Sequence, residues 1–232
     1  MSQAARIPDV VRDFERVDAD IVRKASVYAA SILADVAGRR GALSGRIAPL
    51  SPSVRFCGPA LTVELRPGDN LMIHAALALA KPGDVILVDG KGDLTSALMG
   101  EIMTQQCIAL GIVAVVIDGA VRDSEAIRSL GFPMYAAGLN PNGPTKSASG
   151  RVNHPISIGG VTVHPGDLVV GDADGVVVVE RVKAASLLAL AEEKLAAESK
   201  RIADIRSRKA LRPGWLSGAL RAAGVLGEGE TL

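Results

Sequence analysis

The sequence predicts an α/β protein built on parallel strands, with helices toward both ends. Three observations carry this. Val85 to Val88 and Ile112 to Ile117 are short, β-branched, fully apolar runs, as expected of strands buried on both faces. Helical stretches separate them, giving a β-α-β-α-β order that favours parallel strands with helical crossovers. Beyond residue 155 come short strands at tight turns, whose local pairing should be antiparallel.

The elements follow in order. Val10, Val11, Phe14 and Val17, then Ile21, Val22, Ala25, Ile32 and Val36, recur mostly every three or four residues. That spacing predicts helix over 9–40, closed by Gly38 and Gly41. Phe56 and then Ala60 to Leu65 alternate like a strand, and Asp69 to Ala80 reads as an apolar helix. A helix is expected from about Leu98 to Leu110, a short one over Ser124 to Leu130, and a strand over Pro133 to Ala136. Residues 138–153, rich in Gly, Pro, Asn and Ser, should form a long loop. Ile156–Ile158, Val161–Val163, Asp167–Val170 and Val176–Val179 are the short strands. Residues 181–209 predict a charged amphipathic helix, followed by a tail holding Trp215. Pro-Gly-Asp recurs at Pro67, Pro82 and Pro165, read as tight entries to strands and not as a repeat architecture.

Composition narrows the function. A chain of 232 residues can bury a core as a single domain, with its core at about 30–180 and a helical arm at about 181–232. Net charge is +1 and aromatics are 3%, so neither a field for polyanions nor a stacking platform is present, and no nucleic-acid partner is expected. Cys57 and Cys107 form no CxxC pair and fit a reducing compartment. The charged N-terminal stretch lacks the apolar core of a signal peptide. The longest apolar stretch, Ile108 to Ile117, is only about half a membrane span. A cytoplasmic protein without membrane contact is expected.

The chemistry begins with exclusions. His74, His154 and His164 are scattered without zinc spacing, and there is neither a GxSxG elbow nor a GxxxxGK[ST] loop. His74, in LMIHAALAL, reads first as a packed core histidine.

The informative segment is IVAVVIDGAVRD, Ile112 to Asp123. A buried strand ends there and presents Arg122 and Asp123, at the strand end where α/β sheets collect ligands. A guanidinium there can grip a carboxylate, and the adjacent Asp suits a hard cation. Equally, Asp123 could cap the helix SEAIRSL and Arg122 could pair with it on the surface. A second segment is GDLTSALMGEIM, Gly92 to Met103. A helix starting near Gly100 would aim the N–H groups of Glu101, Ile102 and Met103 at an anion; one starting near Leu94 would use Gly100 only for packing. Glu192, Glu193 and Glu198 lie on a charged helix, either a solvated face or the source of one carboxylate reaching across a subunit boundary.

GDxxxALxGE (Gly92 to Glu101), VIDGAVRD (Val116 to Asp123), the strand FPMYA and the GLNP loop together resemble the 4-hydroxy-4-methyl-2-oxoglutarate aldolase family. Its close relatives act on 4-carboxy-4-hydroxy-2-oxoadipate and usually decarboxylate oxaloacetate. The likeness runs from Leu33–Leu43 and Gly58–Val63 to Val163–Val179. It implies a β/β/α swivelling-type domain with N-terminal helices and a C-terminal helical arm, assembled as a homotrimer or hexamer. It implies Mg²⁺ or Mn²⁺ as cofactor and a small 2-oxo acid as substrate. Arg122 matches the arginine on the substrate's keto and carboxylate oxygens, and Asp123 the direct metal ligand. Gly100, Glu101, Ile102 and Met103 match the backbone cradle of the pyruvyl carboxylate. Glu101 also matches an acidic residue that holds a water, and Glu198 best matches a glutamate donated by the neighbouring subunit, with Glu193 the other candidate. The regulator of ribonuclease E activity shares this fold without catalysis. Its members can lack the aspartate after the arginine, and this sequence keeps Asp123. The loop from Asn140 to Lys146 and the C-terminal tail are the expected seats of specificity.

Overall fold

The structure, a computed structural model, describes residues 9–227 and 229–231. The chain opens with α1 (Ala19–Ala25), α2 (Ala30–Val36), β1 (Ala48–Pro49) and β2 (Phe56–Glu64). It continues through α3 (Leu71–Leu77), β3 (Val85–Met99), α4 (Glu101–Ala109), β4 (Ala114–Val121), α5 (Ser124–Ser129) and β5 (Met134–Leu139). Then come β6 (Arg151–Val152), β7 (Ile156–Ile158), β8 (Val161–Val163), β9 (Leu168–Asp172), β10 (Gly175–Val179), α6 (Ala184–Arg206) and α7 (Leu216–Ala222). The described residues form two compact units, divided between Ala191 and Glu192. No helix among them is long and apolar enough to cross a membrane.

The centre is the predicted parallel array, in the order β5-β4-β3-β2. Antiparallel strands extend it: β1 on β5, β9 on β2, and β10 on β9. Period-2 alternation sorts the two faces. Leu61, Val63, Ile86, Val88, Val115 and Ile117 point toward α3, α4 and α5. Ala60, Val85, Leu87, Ala114 and Val116 point the other way, onto the β7–β8 hairpin and β9–β10. Helices on one face and strands on the other give the β/β/α layering. The near-continuous apolar runs of β3 and β4 follow from burial on both faces.

Three expectations change. The 9–40 region is not one helix. Val10 bridges to Val152, and Asp18 caps a short α1 by accepting from Asp20 N at 2.7 Å. The apolar residues beyond it pack onto β9 and β10 from two separate turns, with Ile32 and Leu33 beside Val170 and Val177. Next, β3 does not stop at Val88. It runs on to Met99 through register shifts against β4, so GDLTSAL is extended chain and the helix begins only at Glu101. Pairing with β4 overrides local helical preference there. Finally, the 138–153 segment is a long connection, but a tethered one. Asn140 Nδ2 donates to Leu94 O at 2.7 Å and Asn142 Nδ2 to Thr95 O at 3.1 Å.

The Pro-Gly-Asp turns do more than admit strands. Each glycine has positive φ, at 72°, 92° and 86°, and each aspartate is buried. Asp84 accepts from Lys81 N and takes both ends of the Arg16 guanidinium at 2.7 and 2.8 Å. Asp167 accepts from His164 N and Arg181 N. Asp69 leads into α3 rather than a strand. It accepts from Leu71 N, Ser147 N, Ala148 N and Thr145 Oγ1. Each carboxylate clamps one chain segment to another.

Candidate active site

Strands β3 and β4 end side by side, with Met99 paired to Val121. The residues that step off them, Gly100–Glu101 and Arg122–Asp123, therefore meet at the carboxyl edge of the sheet. Arg122 N donates to Met99 O at 2.9 Å, which fixes where its side chain starts. Asp123 has left-handed backbone, φ 55°, a conformation that Asp tolerates better than most residues. This turns its carboxylate back toward α4. Oδ2 accepts from Glu101 N at 3.0 Å, and Arg122 Nε lies 3.7 Å from the same oxygen. Of the two local readings, the pairing of Arg122 with Asp123 at the surface holds, but the cap does not: Asp123 stands at the start of α5 yet makes no capping bond there, and it caps α4 instead.

Gly100 is required for space. Its φ is ordinary extended backbone, but a Cβ would collide with Asp123 Oδ2 and lie 2.9 Å from Arg122 Cγ. A Cβ at Gly143 would lie 3.1 Å from the Arg122 guanidinium. The arginine is thus walled by two glycines. α4 begins at Glu101, so Ile102 and Met103 carry N–H groups with no intrahelical partner, as in any first helical turn.

Gly100, Ile102, Met103, Arg122 and Asp123 line one cavity of about 150 Å³. Glu101 is exposed and lies in a separate, open depression on the other side of Asp123, beside Glu125. Glu198 is on α6 in the second compact unit, paired with Lys194 at 3.1 Å, and Glu193 is on the same helix. Within the first compact unit, five of the expected residues share a cavity and Glu101 borders it through Asp123; Glu198 belongs to the second unit.

The donor set fits a lightly held cation. Among the described residues no group of three or more His, Cys, Asp or Glu could cage a metal. Asp123 offers a half-exposed carboxylate whose Oδ1 has no hydrogen-bond or ion-pair partner among the described residues. One carboxylate, with water and substrate oxygens completing the shell, is how Mg²⁺ is commonly bound. Thiol chemistry is absent: burial pushes Cys57 and Cys107 up to about 12, so both stay protonated at neutral pH.

The model of the RraA-like family, described as Aldolase/RraA, matches residues 12–178. The chain belongs to the RraA-like family. A protein of Halalkalibacterium halodurans, named provisionally as a 4-hydroxy-4-methyl-2-oxoglutarate aldolase, is 42% identical over 159 residues, 68% of this chain and 76% of its own. The crystal structure of Streptomyces coelicolor RraAS2, described as an unusual member of the RNase ES inhibitor RraA family, superposes with a TM-score of 0.75 at 30% identity, over 82% of this chain and 98% of that one. RraA from Thermus thermophilis, described as an RNA-processing inhibitor, gives 0.61 at 30% identity, over 66% and 92%. RraA-like proteins thus include members named as lyases and members named as inhibitors.

In this RraA-like chain the cavity has three further polar walls that sequence reading did not assign to it: Asn70, His74 and Lys146. Asn70 and His74 were both hidden in the stretch from Asp69 to Ala80, read as an apolar helix. Lys146 lay within the loop marked for specificity, but nothing in the sequence aimed it inward.

Proposed function

We propose that this chain is a divalent-metal-dependent lyase. It cleaves a 4-hydroxy-2-oxo dicarboxylic or tricarboxylic acid to pyruvate and a second oxo acid, and decarboxylates oxaloacetate at the same site. The observation that carries this reading is the meeting of Arg122, Asp123 and the first turn of α4 at one small cavity. The aldolase named among the relatives supports the same class.

Arg122 binds the keto and carboxylate oxygens, and as a fixed cation it stabilises the charge that develops on the keto oxygen. Ile102 and Met103 offer backbone N–H groups to the pyruvyl carboxylate, favoured by the helix dipole. Asp123 would hold Mg²⁺ or Mn²⁺. When bound, that ion supplies Lewis-acid polarisation of the 2-oxo group. Glu101, with Glu198 from a neighbouring copy, orders the water that takes the C4 hydroxyl proton. The C3–C4 bond breaks, the leaving half departs as an oxo acid, and protonation of the enolate at C3 gives pyruvate. Oxaloacetate reaches the same enolate by losing CO₂, with no hydroxyl to deprotonate. No lysine Schiff base is needed. The donated glutamate requires a neighbouring copy, as a homotrimer or hexamer would supply.

The second reading is a non-catalytic, protein-binding regulator on the same trimeric scaffold. The inhibitors among the structural relatives favour it. The test is pyruvate release from oxaloacetate and from 4-hydroxy-4-methyl-2-oxoglutarate, with Mg²⁺ and with chelator, in wild type and Asp123→Ala. Release that needs both metal and Asp123 is expected. No release under any metal would move the chain to the regulator reading.

A further inference from the structure

We propose that Asn140 and Asn142 are positioning residues for Arg122. They pin the loop that walls one side of its guanidinium, and so keep that cation aimed at the substrate's keto and carboxylate oxygens. This rests on the lyase reading and adds the device that holds its arginine in place.

Arg122 is not held by bonds of its own side chain. Among the described residues that side chain makes no hydrogen bond, and its ion pair with Asp123 Oδ2 is a loose 3.7 Å. A side chain this long samples many rotamers unless its surroundings forbid them. Here the walls do so. One is Gly100, fixed where β3 meets α4. The other is Gly143, where a Cβ would lie 3.1 Å from Arg122 Nη1. Gly143 belongs to neither helix nor strand, so this wall is only as firm as its tethers.

The tethers come from the two asparagines, and they reach both ends of the arginine. Asn140 N donates to Val121 O at 3.0 Å, the carbonyl of the peptide that leads into Arg122. Asn140 Nδ2 donates to Leu94 O at 2.7 Å, and its Oδ1 accepts from Asn142 N at 2.8 Å. Leu94 O can only accept and Asn142 N can only donate, so the amide has one orientation. Asn142 Nδ2 donates to Thr95 O at 3.1 Å, and Asn142 O accepts from Ala97 N at 2.9 Å. Leu94, Thr95 and Ala97 lie where β3 slips its register against β4. The loop is thus bound to the irregular part of β3, immediately before Gly100. Pro141 and Pro144 bracket Asn142 and Gly143 and restrict the backbone between them. An aspartate at 140 or 142 would set a carboxylate against a carbonyl oxygen, so an amide is needed at each place. A connection from β5 to β6 needs no bond to β3; a wall for Arg122 does.

The experiment is calorimetry of oxalate, a planar analogue of the pyruvate enolate, with Mg²⁺ present, beside pyruvate release. The proteins are wild type, Asn140→Ala, Asn142→Ala, Arg122→Ala and the two double variants. Asn142→Ala keeps its backbone bonds to Asn140 and Ala97, so it is the milder change, and urea midpoints check that each variant folds. Asn140→Ala should weaken oxalate binding about tenfold and Asn142→Ala less, with pyruvate release falling in the same order. Neither should add a loss in the Arg122→Ala background, because both act through that side chain. Mn²⁺ affinity should stay at the wild-type value in both single variants. Oxalate affinity equal to wild type in both single variants, or losses that multiply in the double variants, would overturn the positioning role and leave the lyase reading standing. A wild type that binds oxalate in this pattern but releases no pyruvate keeps the positioning role and loses the lyase reading. A wild type that does not bind oxalate overturns the positioning role.

Discussion

Asp123 Oδ2 accepts from Glu101 N at 3.0 Å, so the carboxylate that ends β4 caps the helix that begins after β3. The bond joins residues 22 apart in sequence and holds the proposed metal ligand against the proposed carboxylate cradle. Structure and chemistry therefore load the same oxygen pair, and substitutions can pull them apart.

Asp123→Asn keeps an acceptor and a residue that tolerates left-handed backbone. It should unfold within about 0.5 kcal/mol of wild type. Asp123→Ala loses the cap and strains the backbone, and should cost about 1–3 kcal/mol. Both should abolish metal-dependent pyruvate release. Denaturant titration beside the release assay checks this; an active Asp123→Asn would remove the carboxylate from the chemistry.

Gly100→Ala should fold but misplace Arg122 and Asp123, since the new Cβ meets both side chains. A displacement of about 1 Å can cost about 10²-fold in rate, and that is the expected fall in kcat/KM. Gly143→Ala, with its contact at 3.1 Å, should cost less. The order of the two variants is the check.

Asp69 sets a pH limit. Burial would raise its carboxyl, but the N–H groups of Ser147, Leu71 and Ala148 and the Thr145 hydroxyl outweigh this and hold it down to about 2. A folded value below the ordinary one of 3.8 means stability fully present above about 3.8 and lost as pH falls toward 2. Acid unfolding of wild type should steepen across that window, and Asp69→Asn should flatten it. The same variant should loosen the Lys146 loop, because Ser147 N, Ala148 N and Thr145 Oγ1 all use Oδ2.

Arg16→Ala should be the most destabilising of these changes. Asp84 is fully buried and takes two bonds from the Arg16 guanidinium, at 2.7 and 2.8 Å. Removing the arginine strands a buried charge, at a cost of about 3–5 kcal/mol. Adding Asp84→Asn should recover part of it, which a double-mutant cycle by chemical denaturation would measure.

The sequence by itself determined the parallel strands of the centre, because β-branched runs such as IVAVVI fit strands buried between two packed faces; their order in the sheet came from the tertiary structure. It also marked Arg122, Asp123 and Gly100 through motifs whose spacing is set by two adjacent strand ends. Local pattern did not decide what depends on partners distant in the chain. Extension of β3 to Met99 came from pairing with β4, and the breaking of the 9–40 helix came from packing on β9 and β10. Only the tertiary structure turned Asp123 from its own helix to α4, and only it put Asn70, His74 and Lys146 around one cavity. Periodicity reports which face of an element is buried. Which buried polar atom is left without a partner depends on every element that closes over it.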